Sequence, residues 1–142
     1  MSDTMVWQEQ AGDSGCGIAC LAMLLDLPYA RVKQLAPRFC DTLCGVTYEH
    51  LFQFLAEQGY AVQCIERVRW YDGAIRKPWP PRPWADRHLV NVDQTRTDID
   101  DHYVVLDRRG RVYDPADAAY APSRLSRYYR VNWVAAVIPA TP

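Results

Sequence analysis

A surplus of either charge, an export signal and a long apolar run are all missing from this sequence. Lys and Arg total 16 against 17 Asp and Glu, a formal net charge of −1. Without a basic excess there is no counterion release to drive nucleic-acid binding, so no DNA or RNA partner is expected. The start, MSDTMVWQEQ, lacks the basic and apolar regions of a signal peptide, which points to a cytoplasmic protein. The longest uncharged apolar stretch, from Gly15 to Leu25, is too short to span a bilayer. No repeat or low-complexity linker divides the 142 residues, so one domain over 1–142 is expected, long enough to bury a core without disulfides. Five cysteines cannot all pair internally, and without an export signal they read as thiols. The spacings of Cys16 with Cys20 and of Cys40 with Cys44 do not form the CxxC knuckle of a zinc ribbon, and no HxxxH pair accompanies them. A structural zinc site is therefore not expected.

What is present divides by period. In GCGIACLAMLLDL, Ile18, Leu21 and Leu25 share a face flanked by Ala19, Ala22 and Met23, predicting a buried helix that stops between Asp26 and Pro28. Pro28 can open a second helix, with Val32 and Leu35 inward and Pro37 closing it. Thr47 suits the N-cap of a third helix, where Leu51, Phe54 and Leu55 form the stripe and Gly59 the C-terminal cap. Beyond it the pattern alternates: strands are predicted at 61–68, 88–92 and 132–138, and a hairpin from His102 to Asp114 with Gly110 in its turn. The proline-rich stretch 77–84 is extended, with Trp79 and Trp84 either walling a cleft or lying on a rigid surface loop. Helices first and antiparallel strands afterwards make an α+β domain in two layers.

Cys16 sits between glycines at a predicted helix start, where unpaired N–H groups and the helix dipole favour a thiolate. A lone free cysteine is more often an inert core residue, so this position alone decides nothing. Cys20, one turn on and within an apolar run, reads as such a core thiol; Cys40, Cys44 and Cys64 have no activating neighbour in sequence. A cysteine nucleophile needs a base and the base an orienting group. Of three histidines, His50 falls on a solvated helix face beside Glu49, and His88 is either a satisfied strand-end residue or a cleft wall. His102 differs. A turn centred near Arg108 puts Asp114 opposite or diagonal to it, where a carboxylate can fix the imidazole tautomer. An exposed ion pair at a strand end accounts for that spacing equally well. Gln10, six residues before Cys16, could join the Cys16 N–H as a second oxyanion donor, with Gln8 the competing choice.

Together these segments resemble the C39 family of papain-like cysteine peptidases, which process double-glycine leader peptides of bacteriocins. The resemblance runs through Gln10 and Cys16-Gly-Ile-Ala-Cys-Leu-Ala-Met-Leu-Leu, then Gly45-Val-Thr-Tyr-Glu-His-Leu, then His102-Tyr-Val-Val-Leu to Val112-Tyr-Asp-Pro, in the family's order. Gly15 stands where family members often carry an acidic or small polar residue. The resemblance implies a papain-like fold, N-terminal helices packed on an antiparallel sheet, in a bacterial peptide-processing context. It implies Cys16 as nucleophile, His102 as base, Asp114 as orienting acid and Gln10 as oxyanion donor. The implied activity is hydrolysis of an amide, most simply a peptide bond, by a stand-alone domain acting on a peptide or protein substrate. Association with an exporter or another protein partner would fit, as would secretion as an effector by a signal-independent route. Two rivals share the residues: a deamidase or acyl transferase using the same dyad, and a peptide-binding module without turnover, which would not need a thiolate.

Overall fold

A computed structural model describes residues 5–9, 16–35, 48–71, 86–93, 102–116, 125–128 and 130–140; the side chains of 48, 64–71 and 126 lie outside this description. Three helices come first, α1 (Cys16–Leu25), α2 (Tyr29–Leu35) and α3 (Tyr48–Glu57). Five strands follow, β1 (Tyr60–Tyr71), β2 (Arg87–Asp93), β3 (His102–Asp107), β4 (Val112–Tyr113) and β5 (Arg130–Pro139), with a 3-10 turn at Leu125–Arg127. They form one antiparallel sheet in the order β1-β5-β2-β3-β4. The α+β papain-like architecture, helices packed on an antiparallel sheet, is therefore present. Pro37, Thr47 and the segment 77–84 with Trp79 and Trp84 lie outside the described residues. No described helix is long and apolar enough to cross a membrane.

Helix α1 is buried on every side rather than along one stripe: each residue from Cys16 to Leu24 is covered, and Leu25 only in part. The sheet covers one side of it, chiefly β3, while α2 and α3 pack against others. Small residues such as Gly17, Ala19 and Ala22 permit that approach from several directions. The helix ends in a Schellman arrangement, with Asp26 at φ 57° and the Leu27 N–H donating to the Ala22 carbonyl at 3.0 Å. Arg87, 1% exposed, donates to the Met23 carbonyl at 2.6 Å and to Asp26 Oδ1 at 2.7 Å, so the last turn's carbonyls meet a buried cation. In α2, Val32 is fully buried but Leu35 is 36% exposed, correcting the expectation that both face inward; the short helix reaches the core only near its middle.

Gly59 ends α3 at φ 87°, the left-handed conformation expected of its cap. The β3–β4 turn pairs the Gly110 N–H with the Asp107 carbonyl at 3.1 Å, with Gly110 at φ 79°. Asp107 Oδ1 accepts from the Arg109 and Arg111 N–H groups, each at 2.9 Å, and this fixes the hairpin register. The sheet has an apolar cluster on each face. Leu89, Tyr103, Val105 and Val137 join the helices, whereas Val90, Val92, Val104, Leu106, Leu125 and Tyr128 form a second cluster. This is why β2 is buried at every position although a two-layer domain predicts alternation.

Candidate active site

The direction of α1 over β3 sets the site. Its C-terminal turn is held by Arg87, which pairs in register with Asp107 at the end of β3. Its first residue, Cys16, lies at the other end, where β3 begins with His102. There the Cys16 side chain comes close enough to the His102 ring to raise its pKa. The ring's Nε2 is 2.7 Å from Asp114 Oδ1, so Nε2 carries the proton given to the carboxylate and Nδ1 remains for the sulfur. Asp114 stands just beyond β4, whose register with β3 pairs Leu106 with Val112 and Val105 with Tyr113. That pairing makes His102 and Asp114 diagonal neighbours, one of the two relations the hairpin allowed. The pair is not an exposed ion pair: Cys16, His102 and Asp114 are 7%, 8% and 3% exposed.

The electrostatics follow from these contacts. Burial alone would lower the His102 pKa, but the hydrogen bonds and charges of Asp114 and Cys16 outweigh it and push the imidazole up to about 9. Burial would likewise raise the Asp114 pKa. The His102 hydrogen bond and charge, the Tyr128 hydroxyl and the Ala116 N–H reverse that and hold the carboxyl below its ordinary range. Burial, with Cys16 and Asp114 nearby, pushes the Cys20 thiol well above its ordinary value, consistent with an inert core thiol. Such an arrangement can keep a proton on His102 beside the sulfur, and can return that proton to a group leaving from the same point.

Of the residues singled out from sequence, Cys16, His102 and Asp114 come together. Gln10 lies outside the described residues, as do Cys40 and Cys44, and the Cys64 side chain is likewise undescribed. Gln8 is half-buried in the segment 5–9. His50 is exposed on α3, as expected. His88 is buried in β2 and pairs with Leu106, whereas His102 pairs with Val92 at the opposite end of that ladder, so His88 is a core residue and no cleft wall. Two participants carried no signal in the sequence. Tyr128 donates its hydroxyl to Asp114 Oδ2 at 2.7 Å, and Trp7 donates its indole N–H to the Asp114 carbonyl at 2.8 Å. Neither spacing matches a periodic or turn pattern; only the folded chain brings them to Asp114.

No family model and no curated protein matches the chain. Solved structures do. One is a double glycine motif protease from an AMS/PCAT transporter, in complex with the leader peptide. It has a TM-score of 0.63 and 17% identity, over 97% of this chain and 94% of that one. Another is the peptidase domain of Streptococcus ComA, a bi-functional ABC transporter involved in a quorum sensing pathway. It has a TM-score of 0.64 and 14% identity, over 98% of this chain and 100% of that one. The fold is the C39 peptidase fold. At these identities the likeness is one of backbone architecture. What Cys16, His102 and Asp114 do within the C39 fold rests on their own geometry.

Proposed function

We propose that the chain is a thiol hydrolase that cleaves peptide bonds, with Cys16 as nucleophile, His102 as general base and Asp114 as the orienting acid. The observation that carries this reading is the buried His102–Asp114 pair, 2.7 Å apart, with the buried Cys16 at the start of α1 near enough to act on the ring. His102 takes the Cys16 proton, and the sulfur attacks the substrate carbonyl. The Cys16 N–H and Gln10 receive the oxyanion. The imidazolium gives its proton to the leaving amine, and water then resolves the acyl-enzyme, with His102 again serving as base. Asp114 keeps the ring in the tautomer that leaves Nδ1 facing sulfur and stabilises the imidazolium.

The substrate class follows by analogy with the structural neighbours, one of which holds a leader peptide. A peptide with a double-glycine motif is the first substrate to try. The reading extends to a cytoplasmic site of action beside an exporter or other protein partner, supported by the transporters to which both neighbours belong. The test is mass spectrometry of double-glycine leader peptides incubated with the wild-type chain and with Cys16→Ala. Two fragments from the wild type and none from the variant are expected. Cleavage that survives in Cys16→Ala would overturn the assignment, and a gain of one mass unit without scission would identify a deamidase instead.

A further inference from the structure

Resting on that reading, we propose that Tyr128 is a positioning residue which locks the Asp114 carboxylate in the rotation that aims Oδ1 at His102. A carboxylate attached by one freely turning bond can offer either oxygen to the ring or swing away from it. Among the described residues three donors meet its two oxygens. His102 Nε2 and the Ala116 N–H, at 2.7 and 2.9 Å, share Oδ1, and the Tyr128 hydroxyl takes Oδ2 at 2.7 Å. The Ala116 bond is a local turn contact and restrains only the oxygen already used. Among the described residues Tyr128 alone holds the far oxygen, and it comes from a separate segment, directly after the 3-10 turn at Leu125–Arg127. Its ring, 4% exposed, is embedded in the apolar cluster on the far face of the sheet, so the hydroxyl cannot follow a turning carboxylate. The Arg127 guanidinium lies over that ring, 5.2 Å from its centroid.

The same geometry explains why the orienting residue is a carboxylate. The described donors all converge on its oxygens, and an acid anion accepts each of them without turning an N–H toward any. Among the described residues, the titratable groups acting on Asp114 are His102 on β3, Tyr128 just after the 3-10 turn, and Cys20 on α1. Trp7 holds only its backbone carbonyl. The Tyr128 hydroxyl is a donor throughout the working range, because burial and the Asp114 charge raise its pKa well above the ordinary tyrosine value.

The experiment reads the rate of iodoacetamide alkylation at Cys16, peptide by peptide, from pH 4 to 10, and so needs no substrate. Tyr128→Phe keeps the packed ring and removes only the donor. Its Cys16 alkylation at neutral pH should fall roughly tenfold, the size of one charge-assisted hydrogen bond. The acid limb should move to higher pH, since the anion of Asp114 has lost a donor. In an Asp114→Asn background, Tyr128→Phe should change the rate less than twofold, because the hydroxyl acts through the carboxylate. A profile for Tyr128→Phe superimposable on wild type, or effects of the two substitutions that multiply, would overturn the inference. As a second check, the resonance of the buried, hydrogen-bonded Tyr128 hydroxyl proton should shift in the NMR spectrum on Asp114→Asn; an unmoved resonance also overturns the inference. Failure of the hydrolase reading looks different: wild-type Cys16 would then alkylate no faster than Cys20, and His102→Ala would leave its rate unchanged.

Discussion

Two neighbours, Asp114 and Cys16, raise the His102 pKa against the effect of burial, and the same contacts order the effects of substitution at the site. With its pKa pushed up to about 9, the imidazole holds a proton across the range where free histidine has lost it. Cys16→Ala should abolish hydrolysis, since no other described group meets the ring as a nucleophile. His102→Ala should approach that loss, and Asp114→Asn should be milder than either, because it orients without reacting. Gln10→Ala should lower turnover by about 10² to 10³ with little change in KM if it supplies the oxyanion donor, while Gln8→Ala serves as its control. The same pair also links stability to pH. A folded pKa raised above the unfolded one gives His102 a stabilising contribution that is complete below about pH 6.5 and lost as pH rises through about 9. Asp114, with its folded pKa lowered, contributes above its ordinary pKa and loses that contribution as pH falls through the folded value. Urea melts from pH 6 to 10 should therefore show a loss on the alkaline side that is absent in His102→Ala. Cys16, His102 and Asp114 were candidates beforehand because each has a local signature: glycines around a cysteine, and a hairpin turn that sets a histidine beside an acid. Those signatures decided nothing alone, and the roles came from the family resemblance. Tyr128 was no candidate, because its meeting with Asp114 depends on a segment beyond the hairpin.

Among the elements, helix ends were read best, and for a physical reason: caps are chemistry at a fixed place in sequence. Gly59 fell where a left-handed cap belongs, and a β-carbon there would meet nothing within 4 Å. Gly59→Ala should thus cost only backbone strain, about 1 to 2 kcal/mol in a thermal melt, and Gly59→Asn less. The end of α1 was ascribed to Pro28, yet the chain already turns at Asp26 in the left-handed region, braced by Arg87 from 61 residues away. No local pattern announces such a brace. Arg87→Met should destabilise by about 3 kcal/mol, because it strips the charged donor from buried carbonyls. Asp26→Gly should be milder than Asp26→Ala, since glycine loses the ion pair but relieves the positive φ. Reversal of that order in urea melts would mean that the positive φ at this position is not what an alanine there strains against. Strand lengths were read less well, β1 running to Tyr71 and β4 shrinking to two residues, because pairing partners rather than alternation decide where a ladder stops.

At the scale of the molecule, the site straddles two layers: Cys16 belongs to a helix and His102 with Asp114 to the sheet beneath it. Helices followed by strands were enough to anticipate the layers. The second cluster beneath the sheet was not anticipated, since valines in β2 and β3 look alike whichever face they serve. The two faces should nonetheless differ in what they do for chemistry. Val105 and Val90 are both fully buried valines of central strands, but Val105 sits in the cluster shared with α1 and Val90 in the cluster on the far side. Truncating either to alanine removes comparable apolar volume and should cost about 1 to 3 kcal/mol. Only Val105→Ala opens space between α1 and β3, the two elements that carry Cys16 and His102. At a temperature where both variants remain folded by circular dichroism, Val105→Ala should slow Cys16 alkylation near neutral pH several-fold more than Val90→Ala does. Equal slowing at equal loss of stability would mean that the helix–sheet contact has no special hold on the Cys16–His102 pair. The preference for the helix-side variant is expected because packed layers transmit a cavity's strain to their nearest contacts first.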